Sequence, residues 1–270
     1  MTGELRAAIE SDEAIAKAWP SVGLAGYRGS IAHGTAGDII DDIDIGGVFI
    51  APIEHYFGLQ RIEHIERIGI AEKYDFALFE LRRYVSLLLK SNPNVLSLLW
   101  LPENLYIERI WWGKLLIENR HLFMSKQLHK SFGGYAYGQL RRMTHPCTDQ
   151  AYQGKRRRER FEKFGYNCKN ASHLVRLLRM GIEALCTGEI NVARHDAKQL
   201  KEIKAGQWTL EQVEREAERL NHLLDDALVK CSLPAKPDFD KAERLLIGIL
   251  SERQWVKGTV LNSAEQGKRK

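Results

Sequence analysis

Residues 27–50 read YRGSIAHGTAGDIIDDIDIGGVFI. Four acids, Asp38, Asp41, Asp42 and Asp44, lead into an apolar segment, Ile43 to Ile50, that reads as a β-strand. Successive side chains of a strand point to opposite faces, so Asp42 and Asp44 share one face while Ile43 and Ile45 anchor the other. Two carboxylates held that close repel each other unless a cation lies between them. Mg²⁺, a hard ion that takes carboxylates together with substrate phosphate oxygens, suits the pair.

Upstream stands Gly29-Ser30, at the turn after a short strand expected over 22–28. Glycine lets the backbone approach a phosphate, and the serine hydroxyl and neighbouring amides can then bind it. A two-metal site needs a third acid from another strand, and Asp75, early in the strand segment KYDFALFEL, is the candidate. Glu80 is its rival, but a carboxylate at a helix start has a local reason to be there. An isolated DxD is common. A Gly-Ser turn, a DxD opening an apolar strand and a further Asp on a later strand form a far more specific pattern.

The rest of the chain sets limits around that site. At 270 residues and 44% hydrophobic content it can bury a sizeable core. No apolar run approaches the roughly 18 residues that would span a bilayer, and the N-terminus lacks the apolar stretch of a signal peptide, so a cytoplasmic protein is expected. The four cysteines are widely spaced without a CxxC, which argues against a zinc ribbon and for reduced, structural thiols. Nine histidines show no HxH or HExxH pattern. The net charge of +5 suits an anionic ligand, a nucleotide or a nucleic acid.

Periodicity places one helix over 3–19 ended by Pro20, strands at 22–28, 43–50 and 74–79, and an undecided strand or helix within 59–70. A helix from Glu80 stops at Asn92-Pro93. Beyond about 108 the pattern is helical throughout: 108–119, 122–143, 155–164, 168–187, 196–204, 209–231 and 238–255. This predicts an α+β first part, residues 1–105, and a helical second part, residues 106–270.

The pattern G-S, G, D-x-D and a distal Asp resembles the DNA-polymerase-β nucleotidyltransferase superfamily. The segments YDFALFELRRYVSLLLKSNPNVLSLLW and KFGYNCKNASHLVRLLRMGIEALCTGEI resemble its RNA-repair-pathway polymerase-β family, over about residues 20 to 250. The resemblance implies a mixed sheet flanked by helices, two Mg²⁺ ions and an NTP, ATP among them, as donor. It matches Gly29 and Ser30 to the phosphate-binding turn, Asp42 and Asp44 to the paired metal ligands and Asp75 to the third carboxylate. Asp41 stands where a serine is usual and becomes the first ligand if the loop is shifted; period two with Asp44 selects Asp42.

In the second part, Lys169, His173 and Arg176 recur at helical spacing and share one face, while Leu174, Leu177 and Leu178 line the other and belong to the core. The basic row is either a clamp for a triphosphate or an RNA backbone, extended by Arg179, or a solvated face. KRRRER (155–160) is either a phosphate-contacting run or exposed surface, with Tyr152, Phe161, Phe164 and Tyr166 nearby as stacking or core residues. His33, in the glycine-rich turn, either touches phosphate or holds the loop. Gln139 and Arg142 are placed on a helix that could face the cleft, and one of Trp111 and Trp112 is expected in the core.

The expected activity is Mg²⁺-dependent transfer of a nucleoside monophosphate to an acceptor hydroxyl, foremost an RNA or DNA 3′ end. A protein or small-molecule hydroxyl remains open as acceptor, as does a non-catalytic nucleotide- or RNA-binding module on the same fold, although the complete acidic trio speaks against the last.

Overall fold

The computed structural model describes residues 1–37, 40, 42–144, 161 and 163–266, the stretch from 253 by its backbone alone. Asp38, Asp41, Cys147, Tyr152, the basic run 155–160 and the tail 267–270 lie outside the described residues.

Five strands form one mixed sheet: β1 (Val22–Tyr27), β2 (Ile43–Phe49), β3 (His64–Ile70), β4 (Tyr74–Glu80) and β5 (Tyr106–Arg109), in the order β3-β4-β2-β1-β5. β2 and β4 run parallel, and the other neighbours are antiparallel. The segment left undecided within 59–70 is thus a strand at its C-terminal end. It reaches β4 through a hairpin in which Ala71 and Glu72 take left-handed φ of 49° and 59°. Asn-Gly usually marks such a turn, and its absence hid this one.

The strand alternation sorts two cores onto the two faces. Ala25, Ile45, Phe49, Phe76 and Leu78 pack with Leu5, Ala8, Ile9, Ile15 and Ala18 of α1 (Gly3–Ser11) and α2 (Glu13–Ala18). The single helix expected over 3–19 breaks at Asp12, an extended residue whose carboxylate accepts the Ile15 amide and caps α2. On the opposite face Leu24 and Val48 join the larger core with α3 (Leu81–Leu88), α4 (Trp111–Glu118) and the helices beyond. The sheet reaches past the boundary expected at 105, because β5 covers the free edge of β1. Trp112 is buried and lies so close to β1 that a Cβ on Gly23 would stand 2.0 Å from its ring, whereas Trp111 is exposed.

The C-terminal region is helical: α5 (Gln127–Thr144), α6 (Cys168–Thr187), α7 (Ala197–Lys204), α8 (Leu210–Lys230) and α9 (Phe239–Gln266). Helix α6 lies at its centre, packed against α5, α7 and α8. Leu174, Leu177 and Leu178 are buried there, each contributing about 1.5–3 kcal/mol of hydrophobic stabilisation. Asn167 caps the start of α6, and Gly188, in the left-handed conformation, ends it. Among the described residues no helix is long and apolar enough to cross a membrane.

Candidate active site

The parallel pairing of β2 with β4 sets Asp44 directly opposite Asp75. Residues in register on parallel strands turn their side chains to the same face, so the two carboxylates stand side by side. Asp42, exposed just ahead of β2, shares their parity. This acidic row lies on the face turned to the helical region, opposite the face where Ile45 packs on α1 and α2.

Asp44 is half-buried, and its pKa is raised. Burial is the main cause; the charges of Asp75 and Asp42 add to it, while Arg28 and Lys169 oppose it. Two further acids and two cations from separate elements therefore act on one carboxylate. Asp75 has one oxygen engaged already, because Oδ1 accepts the Gly69 amide at 2.8 Å.

Glu80 stands apart from this row. It is buried, and its oxygens accept the amides of Arg82 and Arg83 as the N-cap of α3 and the Tyr56 hydroxyl proton. Its parity along β4 is opposite to that of Asp75.

The glycine turn closes against the acids. The Arg28 amide donates to the Asp44 carbonyl at 2.8 Å, and the chain then enters a single helical turn, Gly29–Ala32. Gly29 takes φ +58°, and a Cβ there would stand 2.0 Å from Asp44 Oδ2. Only glycine permits both that conformation and that approach. Thr35 returns its amide to the Ser30 carbonyl at 2.8 Å, which closes the loop.

His33 resolves in favour of holding the loop. Its Nδ1 lies 2.9 Å from the Val192 carbonyl and its Nε2 lies 2.8 Å from Arg176 Nη1. A carbonyl can only accept and a guanidinium can only donate, so the ring is neutral with its proton on Nδ1. The turn is thereby tied to α6, and Lys204 of α7 adds a bond to the Thr35 carbonyl at 3.4 Å.

The basic row of α6 divides. Lys169 is exposed, and its charge bears on Asp44. His173 is half-buried, in the field of Arg176, Lys169, Lys204 and Arg142. Arg142 of α5 thus belongs to the same charged neighbourhood. Arg176 commits Nη1 to His33 and to the Met180 sulfur, and its pKa is lowered to about 10, chiefly by burial. Arg179 does not extend the row, because it is bound to Asp196 at 2.8 Å and to Glu216 at 2.7 Å.

Both imidazoles are held neutral, mainly by burial and next by Arg176: the pKa of His173 is lowered to about 3 and that of His33 well below 6.5. In the unfolded chain both protonate near pH 6.5. Below that pH the unfolded state binds more protons, so this stability is full above about pH 6.5 and is lost as the pH falls, by up to about 1.4 kcal/mol per pH unit for each imidazole. Urea unfolding at pH 7 and pH 5 should show the loss, and His173→Gln should show a smaller one. An equal loss in both proteins would contradict the neutral, buried state of His173.

Asp42, Asp44 and Asp75 offer oxygen donors alone, a chemistry that would suit a hard divalent ion better than zinc or a soft metal. Among the described residues no group of three or more His, Cys, Asp or Glu side chains is gathered closely enough to hold a metal ion, Asp42, Asp44 and Asp75 included. The acids share a face and a field, with Asp75 Oδ2 not taken by the Gly69 bond.

The chain belongs to the nucleotidyltransferases and, within them, to the RNA repair pathway DNA polymerase beta family, whose sequence profile matches residues 4–247. No curated protein matches it significantly. Among solved structures, the crystal structure of a nucleotidyltransferase-like protein from Exiguobacterium sibiricum 255-15 is similar over 92% of this chain and 80% of that one, with 14% identity and a TM-score of 0.31.

Proposed function

We propose that the protein transfers a nucleoside monophosphate from an NTP to an acceptor hydroxyl, with an RNA 3′ end as the acceptor. The observation that carries this reading is the in-register pair Asp44 and Asp75, on one face with Asp42 and closed on one side by the Gly29 turn, with the charge of Lys169 acting on Asp44. The family's place in RNA repair supports RNA as the acceptor.

In this reading the acceptor oxygen bonds to the α-phosphorus, the bond to the β-bridging oxygen breaks, and pyrophosphate leaves with the electron pair. Asp42, Asp44 and Asp75 would hold divalent metal ions, with Mg²⁺ favoured by the oxygen donors. Such ions supply positive charge that stabilises the attacking and leaving oxygens. Asp75, with one oxygen fixed by the Gly69 amide, presents the other toward the acceptor and takes its proton. Gly29 and Ser30 carry the β- and γ-phosphates, with Lys169, His173 and Arg176 along the same side. Arg176 orients its guanidinium through His33, and neutral His173 contributes a hydrogen-bonding ring rather than a charge. The sheet unit performs the transfer, and the helical region, with Arg142 and Lys204 near the row, receives the acceptor strand.

The test is incubation with each of the four α-labelled NTPs, Mg²⁺ and mixed cellular RNA and protein, resolved on gels. Label in RNA supports the reading in full. Label in protein only would replace the acceptor, and label in neither would overturn the transfer itself.

A further inference from the structure

Two of the arginines withdrawn from water carry their own anions, while Arg176 is held by His33 and the Met180 sulfur instead. Arg194, with a fully buried side chain, pairs with Glu183 at 2.6 Å and with Asp196 at 2.8 Å. Arg179 has Asp196 and Glu216. Arg28 is different. It is half-buried, yet among the described residues no carboxylate oxygen lies within 4.0 Å of its guanidinium, and no hydrogen bond of that side chain is formed. Burial lowers its pKa, and the more distant charges of Asp44 and Glu66 only partly offset this. A cation withdrawn from water without a paired anion is costly, and such a cost persists where a ligand supplies the anion.

The position of the side chain is built into the sheet. Its stem lies across Gly46, where a Cβ would stand 2.1 Å from Arg28 Cδ. Gly46 has the parity of Asp44 and pairs with Ala77, which has the parity of Asp75. The small pair Gly46–Ala77 therefore forms the next row on the face that carries the acids, and the arginine is laid over it. A guanidinium offers a planar fork of donors that matches two phosphate oxygens.

We infer that Arg28 binds a phosphate group of a substrate lying across the acidic row, on the Gly46 side of Asp44 and Asp75. The inference rests on the nucleotidyl-transfer reading. The phosphate belongs either to the donor triphosphate or to the phosphodiester backbone of the acceptor strand, and the two are separable by experiment.

The variants are Arg28→Met, which keeps the stem over Gly46, and Arg28→Lys, which keeps the charge but loses the fork. Binding of a non-hydrolysable NTP and of inorganic pyrophosphate reads the donor. Binding of a single-stranded RNA oligonucleotide reads the acceptor, and circular dichroism with thermal unfolding reads the fold. Arg28→Met should weaken one arm by about tenfold or more, with a smaller loss for Arg28→Lys. The arm that weakens identifies the phosphate. If both arms stay within about twofold of wild type in a folded Arg28→Met protein, the assignment falls and Arg28 is a counter-charge to Asp44. If Arg28→Met does not fold, Arg28→Lys decides: a loss in one arm at wild-type melting temperature supports the inference, and unchanged binding in both overturns it. A wild-type protein that binds neither NTP nor RNA would remove the nucleotidyl-transfer reading and this inference together, whereas equal binding by wild type and variant removes the inference alone.

Discussion

Asp44→Asn should reduce NTP-dependent transfer to background while the protein remains folded and melts no lower than wild type. The two halves of this result have separate physical causes. An amide has no charge with which to hold a divalent ion, so the role proposed for Asp44 ends with the substitution. Stability moves the other way, because the raised pKa of Asp44 shows that its environment disfavours the charged form. Burial together with Asp75 and Asp42 outweighs the attraction of Arg28 and Lys169. Removing the charge therefore relieves the folded state. Asp42→Asn should be equally inactive, with little change in stability because Asp42 is exposed. Steady-state transfer and thermal unfolding measured on the same preparations check both statements. Near-normal transfer by either variant would remove it from the metal-binding role.

Asp75→Ala and Glu80→Ala should behave as opposites, although the residues lie on one strand. Asp75 faces Asp44 in register, and its loss should silence transfer while part of the NTP binding survives through Asp42, Asp44 and the glycine turn. Glu80 has the other parity, caps α3 and accepts from Tyr56. Its removal takes away a helix cap and a buried hydrogen-bond acceptor, costing about 1–3 kcal/mol of stability. The rate per folded molecule should remain near that of wild type. Transfer assays corrected for the folded fraction, with urea unfolding alongside, separate the two. An active Asp75→Ala protein or a folded but inactive Glu80→Ala protein would exchange their roles.

The features legible in the sequence are those set by local periodicity. Alternation along Ile43–Phe49 placed Asp42 and Asp44 opposite Ile43 and Ile45, and the structure sorts them onto the two faces in that way. The helix over 168–187 has its sequence bounds because a capping asparagine and a left-handed glycine mark its ends. What escaped depends on partners distant in the chain. β5 is a four-residue strand, too short to display a period, and it exists because β1 offers it an edge. The tie from His33 to Val192 and Arg176 joins segments that no spacing relates. Arg179 looked like a continuation of the basic row because its carboxylates, Asp196 and Glu216, arrive from elsewhere in the chain. The same limit hid Arg28, whose place over Gly46 emerges only when β1 and β2 are side by side. A basic residue just before a Gly-Ser turn, with a glycine on the following strand two positions beyond the DxD, is a local trace of that arrangement.

The central claim, that the acidic row serves transfer of a nucleotidyl group, is tested most directly by following two labels of one NTP in parallel. With the label on the α-phosphorus, radioactivity should join the acceptor; with the label on the γ-phosphorus, it should appear only in free pyrophosphate. Transfer of the γ-label to an acceptor, or its release as orthophosphate without incorporation of the α-label, would contradict the claim.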